Sequence, residues 1–176
     1  MKMTFQKTDS TKVVDYAKYV KEYIENDKLT TSFQIFVGCD SLPKRISGAT
    51  YVTAICVWKV GHGVHVIFAR EHNVLIHGKT ERERLKNRLW AEVYRAVEVA
   101  SALVDGGVMN LRRVDEFEVH LDVNPKKEFE SNLIHNDALG YVRALGFDAY
   151  AKPDSPAASF ASDRACRGKE TIGVAK

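Results

Sequence analysis

Residues 32–41 read SFQIFVGCDS, an almost uninterrupted apolar run that ends on an aspartate and a serine. Aromatic and β-branched residues dominate the run, and the scarcity of alternating polar residues is typical of a strand buried on both faces. In open α/β sheets, ligands bind beyond the carboxyl ends of the central strands. The stretch therefore predicts a central strand and makes Asp40 a candidate functional residue. The alternative is an ordinary turn aspartate.

Strands and helices are expected on both sides of this run. Residues 50–60 and 64–70 are rich in β-formers, and the glycines of Gly61-His62-Gly63 between them predict a tight hairpin. Later segments alternate between helical and strand patterns, which predicts an α/β fold: a mixed sheet with helices on both faces. Further strands are expected at 117–123 and 147–151, and helices at 11–25, 81–104, 128–145 and 156–166.

Length and composition fit a globular domain. The chain has 176 residues, of which 45% are hydrophobic and 28% charged. These figures lead us to expect a single domain over residues 1–176, with an N-terminal helix and a flexible tail at 167–176.

Charge and cysteine content exclude several functional classes. Lys and Arg number 26 against 23 Asp and Glu, and a net charge of +3 is too small to establish nucleic-acid binding by itself. The three cysteines are scattered without a C-x-x-C pair, which argues against a disulfide framework and a zinc ribbon. We find no signal peptide and no apolar run of membrane-spanning length, so we expect a cytoplasmic protein without membrane contact. Protein partners are not indicated.

Glu92 occupies an unusual position in the long helix expected at 81–104. Residues at helical spacing around it form an apolar stripe, and Glu92 stands where an apolar residue is expected. Burying a carboxylate is costly unless it is paired or binds a metal. One interpretation is an ion pair with Arg88 or Arg95, and the other is a functional carboxylate.

Two more carboxylates lie near the ends of predicted elements. Asp122 is on the polar side of the fourth strand, where the alternative is a sheet edge with one solvated face. Asp163 lies in the small-residue helix at 156–166, where the alternative is an ion pair with Arg167. Asp154, just before that helix, is a substitute for Asp163 unless it only caps the helix.

Several carboxylates that converge in space repel one another unless cations neutralise them. Mg²⁺ and Mn²⁺ prefer oxygen ligands, and two such ions can activate water and stabilise the leaving oxygen of a phosphodiester. The four acids together therefore indicate a divalent-metal site.

Basic residues are placed where a polyanion could be bound. Lys and Arg at the start of a helix oppose its dipole, so the cluster at the start of the long helix brings no evident stability, whereas phosphate contact would explain it. Solvated surface charge is the alternative. The candidate nucleic-acid-binding residues are Arg82, Arg84, Arg88, Lys126, Lys127 and Lys152.

The order of Asp, Glu, Asp and Asp on strand, helix, strand and last helix resembles the ribonuclease H-like superfamily. The segments VGCDS (37–41), HLDVN (120–124) and KPDSPAASFASDRAC (152–166) are most similar to the YkuK-like family of predicted nucleases. The resemblance implies a five-stranded mixed sheet whose first three strands are antiparallel. It also implies that Asp40, Glu92, Asp122 and Asp163 are catalytic metal ligands.

The function expected from these observations is a divalent-metal-dependent nuclease that cuts RNA or DNA. A non-catalytic nucleic-acid-binding module on the same fold is the main alternative. A phosphotransferase or nucleotide binder of the related actin-like architecture is a third possibility, against which the absence of a Gly-rich phosphate loop argues.

Overall fold

The computed structural model describes residues 3–28, 31–44 and 48–155 of the chain. Within these ranges the chain forms one seven-stranded sheet, three α-helices and two short 3₁₀ helices. The strands are β1 (Phe5–Lys7), β2 (Lys12–Val13), β3 (Phe33–Lys44), β4 (Gly48–Lys59), β5 (Gly63–Leu75), β6 (Val114–Leu121) and β7 (Asp148–Ala151). The α-helices are α1 (Tyr16–Glu25), α2 (Glu81–Asp105) and α3 (His135–Ala144), and the 3₁₀ helices are Val108–Asn110 and Glu130–Ile134.

The sheet is mixed, as the sequence predicted, and its strand order is β2-β1-β5-β4-β3-β6-β7. β3, β4 and β5 pair antiparallel, whereas β6 pairs parallel to β3 and β7 pairs parallel to β6. The apolar run at 32–41 therefore forms an interior strand, with β4 on one side and β6 on the other. The mixed α/β fold is confirmed, but the expected number of five strands is wrong.

The two additional strands lie at the N-terminus, where we expected a helix over 11–25. Phe5 and Val13 face each other across β1 and β2, and both side chains are buried. Their burial on the edge of β5 favours short strands over a longer helix. α1 begins only at Tyr16, because the side chain of Asp15 caps it by accepting a hydrogen bond of 2.9 Å from the amide of Lys18.

β3 contributes side chains to two apolar clusters, one on each face of the sheet. Phe33, Ile35, Val37 and Cys39 join the larger cluster, to which α1, α2 and α3 contribute. Phe36 faces the other side, where the smaller cluster consists of strand residues. The helix expected at 156–166 and the tail expected at 167–176 lie outside the described residues.

β3 and β5 extend beyond the strand segments expected at 32–41 and 64–70. β3 and β4 pair from Phe33 with Lys59 to Lys44 with Gly48, and β5 continues to Leu75, because backbone pairing along these long hairpins overrides the polar composition. The helix expected at 128–145 is divided into the 3₁₀ helix Glu130–Ile134 and α3. Ser131 Oγ accepts a hydrogen bond from the amide of Asn124 at 3.1 Å, which ties the 3₁₀ segment to the preceding loop.

α2 has 25 residues and agrees closely with the helix expected at 81–104. Thr80 caps it by accepting a hydrogen bond of 3.1 Å from the amide of Glu83, and the Glu83 carboxylate accepts one of 2.7 Å from the amide of Lys79. Among the helices of the described ranges, α2 included, none is both long and apolar enough to cross a membrane.

The cap of α2 leads to a first prediction. Thr80→Ala removes the acceptor for the Glu83 amide and should lower the free energy of unfolding by about 1 kcal/mol. Urea unfolding followed by circular dichroism measures the change. Ser101→Ala, on the same helix and away from either end, serves as the control and should stay within about 0.5 kcal/mol of wild type. Equal stability of the two variants would contradict the capping role.

Candidate functional site

Asp40 and Asp122 lie next to the point where the parallel pairing of β3 with β6 ends. Cys39 of β3 is in register with Leu121 of β6, and each aspartate is the next residue along its strand. Asp40 is half-buried within β3 and pairs with Val52, so its interpretation as a turn residue is wrong. β6 lies between β3 and β7, so Asp122 does not follow an edge strand, and the alternative of a solvated sheet edge is also wrong. Parallel pairing therefore brings the two aspartates side by side.

Glu92 is buried on the face of α2 that packs against β3 and retains 5% of its exposure. Ser41 Oγ donates a hydrogen bond of 2.5 Å to Glu92 Oε1, and Arg88 Nη1 donates to Ser41 Oγ at 2.7 Å. Arg88 Nη1 also lies 3.4 Å from Glu92 Oε1. Arg95, the other partner considered, instead pairs with Glu71 at 2.6 Å. Ser41 and Arg88 thus hold Glu92 beside the end of β3.

The charges of Asp40 and Asp122 act on the carboxyl group of Glu92. Burial is the main reason that the pKa of Glu92 is raised to about 8, and the nearby carboxylates of Asp40 and Asp122 contribute to the rise. The hydrogen bond from Ser41 and the charge of Arg88 oppose the rise in pKa. Because the charges of Asp40 and Asp122 both act on Glu92, the acids of three separate elements lie in the same region of the molecule.

Asp122 forms an ion pair with Lys152. Nζ of Lys152 lies 2.5 Å from Asp122 Oδ1, and the backbone amide of Lys152 donates to the carbonyl of Val123 at 3.1 Å. Oδ1 of Asp122 is buried and receives no hydrogen bond of good geometry, despite the nearby ammonium group. Lys152 and Arg88 therefore balance part of the negative charge.

Of the two remaining candidate acids, the structure describes only Asp154, which does not lie with these three. Asp154 is exposed in a turn after β7, where its amide donates to the carbonyl of Ala151 at 2.9 Å. Asp163 lies outside the described residues.

The chemistry of the donors fits a hard divalent cation. Asp40, Glu92 and Asp122 offer carboxylate oxygens, the ligands that such a cation prefers, and Oδ1 of Asp122 is buried without a hydrogen bond of good geometry. Within residues 3–155, apart from the two short gaps, no group of three or more His, Cys, Asp or Glu side chains is arranged to hold a metal. A fourth ligand at Asp163 is left as a prediction.

A basic groove adjoins this group of acids. Its volume is about 760 Å³, and it lies between the end of β3, the start of β4 and the start of α2. Arg88 lines the groove and also contacts Ser41 and Glu92, so one side chain joins the groove to the buried glutamate. The other basic lining residues are Lys44, Arg82 and Arg84, and the acidic ones are Glu81 and Glu130.

The structure divides the predicted basic residues into three places. Arg82, Arg84 and Arg88 line the groove, and Lys152 pairs with Asp122. Lys126 and Lys127 are exposed in the loop after β6 and are not among the residues that line the groove.

Ser41 is the functional candidate that the sequence analysis did not select. The strand alternation contains a signal for it, because Phe33, Ile35, Val37 and Cys39 all face the helices and Ser41 continues this series. A hydroxyl at the end of such a series needs a partner on the helix layer, and that partner is Glu92.

The buried carboxylate leads to a prediction about stability without metal. In the unfolded chain Glu92 has its ordinary pKa near 4.5, and in the folded protein its pKa is about 8. The free energy of unfolding should therefore fall as pH rises between these two pKa values. In the presence of a chelator, the melting temperature of Glu92→Gln should match wild type at pH 5 and exceed it by about 3 °C or more at pH 9.

Thermal unfolding at a series of pH values measures this difference. Glu98→Gln, which alters an exposed carboxylate of the same helix, should show no comparable pH-dependent gain. A Glu92→Gln melting temperature that stays below wild type at pH 9 would show that the carboxylate stabilises the fold.

The sequence was compared with known families, curated proteins and solved structures. No curated protein and no solved structure shows significant similarity. The narrower resemblance to the YkuK-like family stays a prediction. The model of the Ribonuclease H-like family matches residues 15–167, a range that contains Asp40, Glu92 and Asp122 and most of the chain. The chain therefore belongs to the ribonuclease H-like family.

Proposed function

We propose that this protein is a divalent-metal-dependent nuclease that hydrolyses phosphodiester bonds of RNA or DNA. The observation that carries the proposal is the convergence of Asp40, Glu92 and Asp122 beside a basic groove. Membership of the ribonuclease H-like family supports a nuclease or other nucleic-acid-related function at a coarse level. Asp163 is the proposed fourth acid, and the YkuK-like nucleases are the proposed subfamily.

In this proposal Asp40, Glu92, Asp122 and Asp163 hold Mg²⁺ or Mn²⁺. The bound ion would supply activation of a water molecule and neutralisation of the phosphate charge. Asp40 and Asp122 contribute anionic oxygens from two adjacent strand ends. Burial favours the protonated form of Glu92, so a cation that bound there would have to displace its proton, because ligands bind metals in their deprotonated form.

The basic residues would orient the substrate. Arg82 and Lys44 line the groove and can neutralise backbone phosphates next to the carboxylates. Lys126 and Lys127 would extend this contact surface along the loop after β6. Lys152, once released from Asp122, becomes available to a phosphate at the site.

A non-catalytic nucleic-acid-binding module is the second candidate function. The observation that favours it is that Arg88 and Lys152 already lie against Glu92 and Asp122, so part of the negative charge is balanced without a metal. Only the nuclease is expected to bind a divalent metal and to cleave nucleic acid, so measurements of metal binding and of cleavage distinguish the two candidate functions.

Loss of either strand-end aspartate should abolish cleavage. Asp40→Asn and Asp122→Asn each remove an anionic oxygen from the proposed metal site, and we expect rates to fall by at least about a hundredfold. The assay incubates purified protein with labelled RNA, DNA and hybrid oligonucleotides in Mg²⁺ or Mn²⁺. Asp115→Asn, an exposed aspartate near the start of β6, is the matched control and should cleave like wild type.

Two results would contradict the proposal that this protein is a nuclease. One is a wild-type protein that cuts none of these substrates, and the other is full activity in both aspartate variants. Retained oligonucleotide binding without Mn²⁺ binding would favour the non-catalytic module.

Lys152 should compete with the metal for Asp122. Lys152→Ala removes an ion pair of 2.5 Å that has to open before a cation reaches Oδ1. Because the lysine is about half exposed, the expected gain in Mn²⁺ affinity is modest, about fivefold. Isothermal titration calorimetry measures the affinity, and Lys127→Ala is the control for loss of a general positive charge. A weaker Mn²⁺ affinity in Lys152→Ala than in the control would mean that the lysine supports the site.

A further inference from the structure

Three aromatic rings form a cluster on the outer surface of α2 and α3. Trp90 and Tyr94 of α2 stack with their ring centroids 5.5 Å apart. Tyr141 of α3 meets both rings edge-on, at 5.8 Å from Trp90 and 5.7 Å from Tyr94. Tyr94 is 52% exposed and Tyr141 36% exposed. Trp90 is partly buried against the core, so the ring that is most in contact with solvent is that of Tyr94.

The cluster opens onto a cleft between α2 and the end of β5. The cleft has a volume of about 390 Å³, and Trp90, Tyr94, Leu75 and Ile76 supply its apolar lining. Leu75 is 69% exposed at its rim. Ile76 lines the basic groove as well, so the aromatic cleft and the groove are contiguous.

The chain between the two sites is strongly basic. Residues 79–88 contain five Lys or Arg and two Glu. From Arg82 to Tyr94 the helix advances about 18 Å, at 1.5 Å per residue. A polyanion lying in the groove would therefore pass within a short distance of the aromatic rings.

We propose that Trp90 and Tyr94 form a stacking platform for unpaired bases of a single-stranded nucleic acid whose phosphates lie in the basic groove. Proteins that bind single strands combine a positive groove with aromatic rings in this way. Bases in a duplex already stack on their neighbours, so their faces are not free for a protein ring. The choice of nucleic acid over a protein partner rests on the adjoining positive charge and on the proposed function, which supplies the same substrate class.

Tryptophan fluorescence tests the platform directly. The chain has two tryptophans, Trp58 and Trp90, so Trp58→Phe leaves Trp90 as the sole reporter. With a chelator present to prevent cleavage, a single-stranded oligo(dT) should quench Trp90. An abasic strand of the same length, which carries the same phosphates without bases, should quench it much less, and so should a blunt duplex.

Binding measured by fluorescence anisotropy of a labelled oligo(dT) tests the second ring. Tyr94→Ala should weaken affinity about fivefold to a hundredfold, and Tyr94→Phe, which keeps the ring, should bind like wild type. Trp58→Ala is the control, because Trp58 is also a large exposed aromatic residue, at 40%, but lies on β4 outside the cluster. Arg82→Ala should weaken binding of oligo(dT) and of the abasic strand alike.

The platform is wrong if Tyr94→Ala binds oligo(dT) as tightly as Trp58→Ala does, or if the abasic strand quenches Trp90 as strongly as oligo(dT). A change in the sedimentation of Tyr94→Ala with unchanged oligonucleotide binding would also overturn it, because the rings would then serve self-association. If only the proposal of a nuclease fails, oligo(dT) still quenches the fluorescence of Trp90 but the wild-type protein cuts no substrate. Conversely, if cleavage requires Asp40 and Asp122 but oligo(dT) does not change the fluorescence of Trp90, only the stacking platform is rejected.

Discussion

The parallel pairing of β3 with β6 is the constraint on which the candidate site depends. Strands that run the same way end at the same edge of the sheet, and the register of Cys39 with Leu121 brings Asp40 and Asp122 next to each other at that edge. An antiparallel partner would place the second carboxylate at the opposite end of the sheet. β3 can take this central position because its residues are apolar on both faces until Asp40 is reached. The same apolar run that drives burial therefore determines where the first charge appears.

Concentrating three carboxylates at one edge has an energetic cost that the rest of the site offsets in part. Burial and the neighbouring aspartates favour the protonated form of Glu92, and the hydrogen bond from Ser41 and the charge of Arg88 favour the ionised form. The ammonium group of Lys152 likewise balances part of the negative charge of Asp122. If the site binds a divalent cation as proposed, that cation would neutralise the carboxylates more completely than two side-chain cations of which one is half exposed. The proposed role of Glu92 and the stability of the metal-free fold would then be opposed, because burying a carboxylate costs free energy.

The sequence was informative where a residue broke a strong pattern. Asp40 ends an apolar run, and Glu92 interrupts an apolar stripe, so both could be selected without a structure, and the long helix that carries Glu92 was predicted closely. β1 and β2 could not be predicted in the same way, because strands of three and two residues are too short to show an alternation and depend on pairing with β5. The extension of β5 to Leu75 likewise depends on its pairing with β4 rather than on local composition. The link from Arg88 through Ser41 to Glu92 joins residues 47 and 51 positions apart along the chain, and such distant contacts leave no periodic signal.

α2 connects the separate parts of the site because successive residues of a helix point about 100° apart. The hydrogen bond between Ser41 and Glu92 sets the rotation of the helix about its axis relative to β3. With that rotation set, Arg88, one turn earlier, points along the rim into the groove, and Trp90 and Tyr94 point outward to meet Tyr141. A change that rotates α2 would therefore move the carboxylate, the groove cations and the aromatic rings together. Metal affinity, phosphate contact and base stacking are consequently expected to respond jointly to substitutions at the contact between α2 and β3, although each involves different side chains.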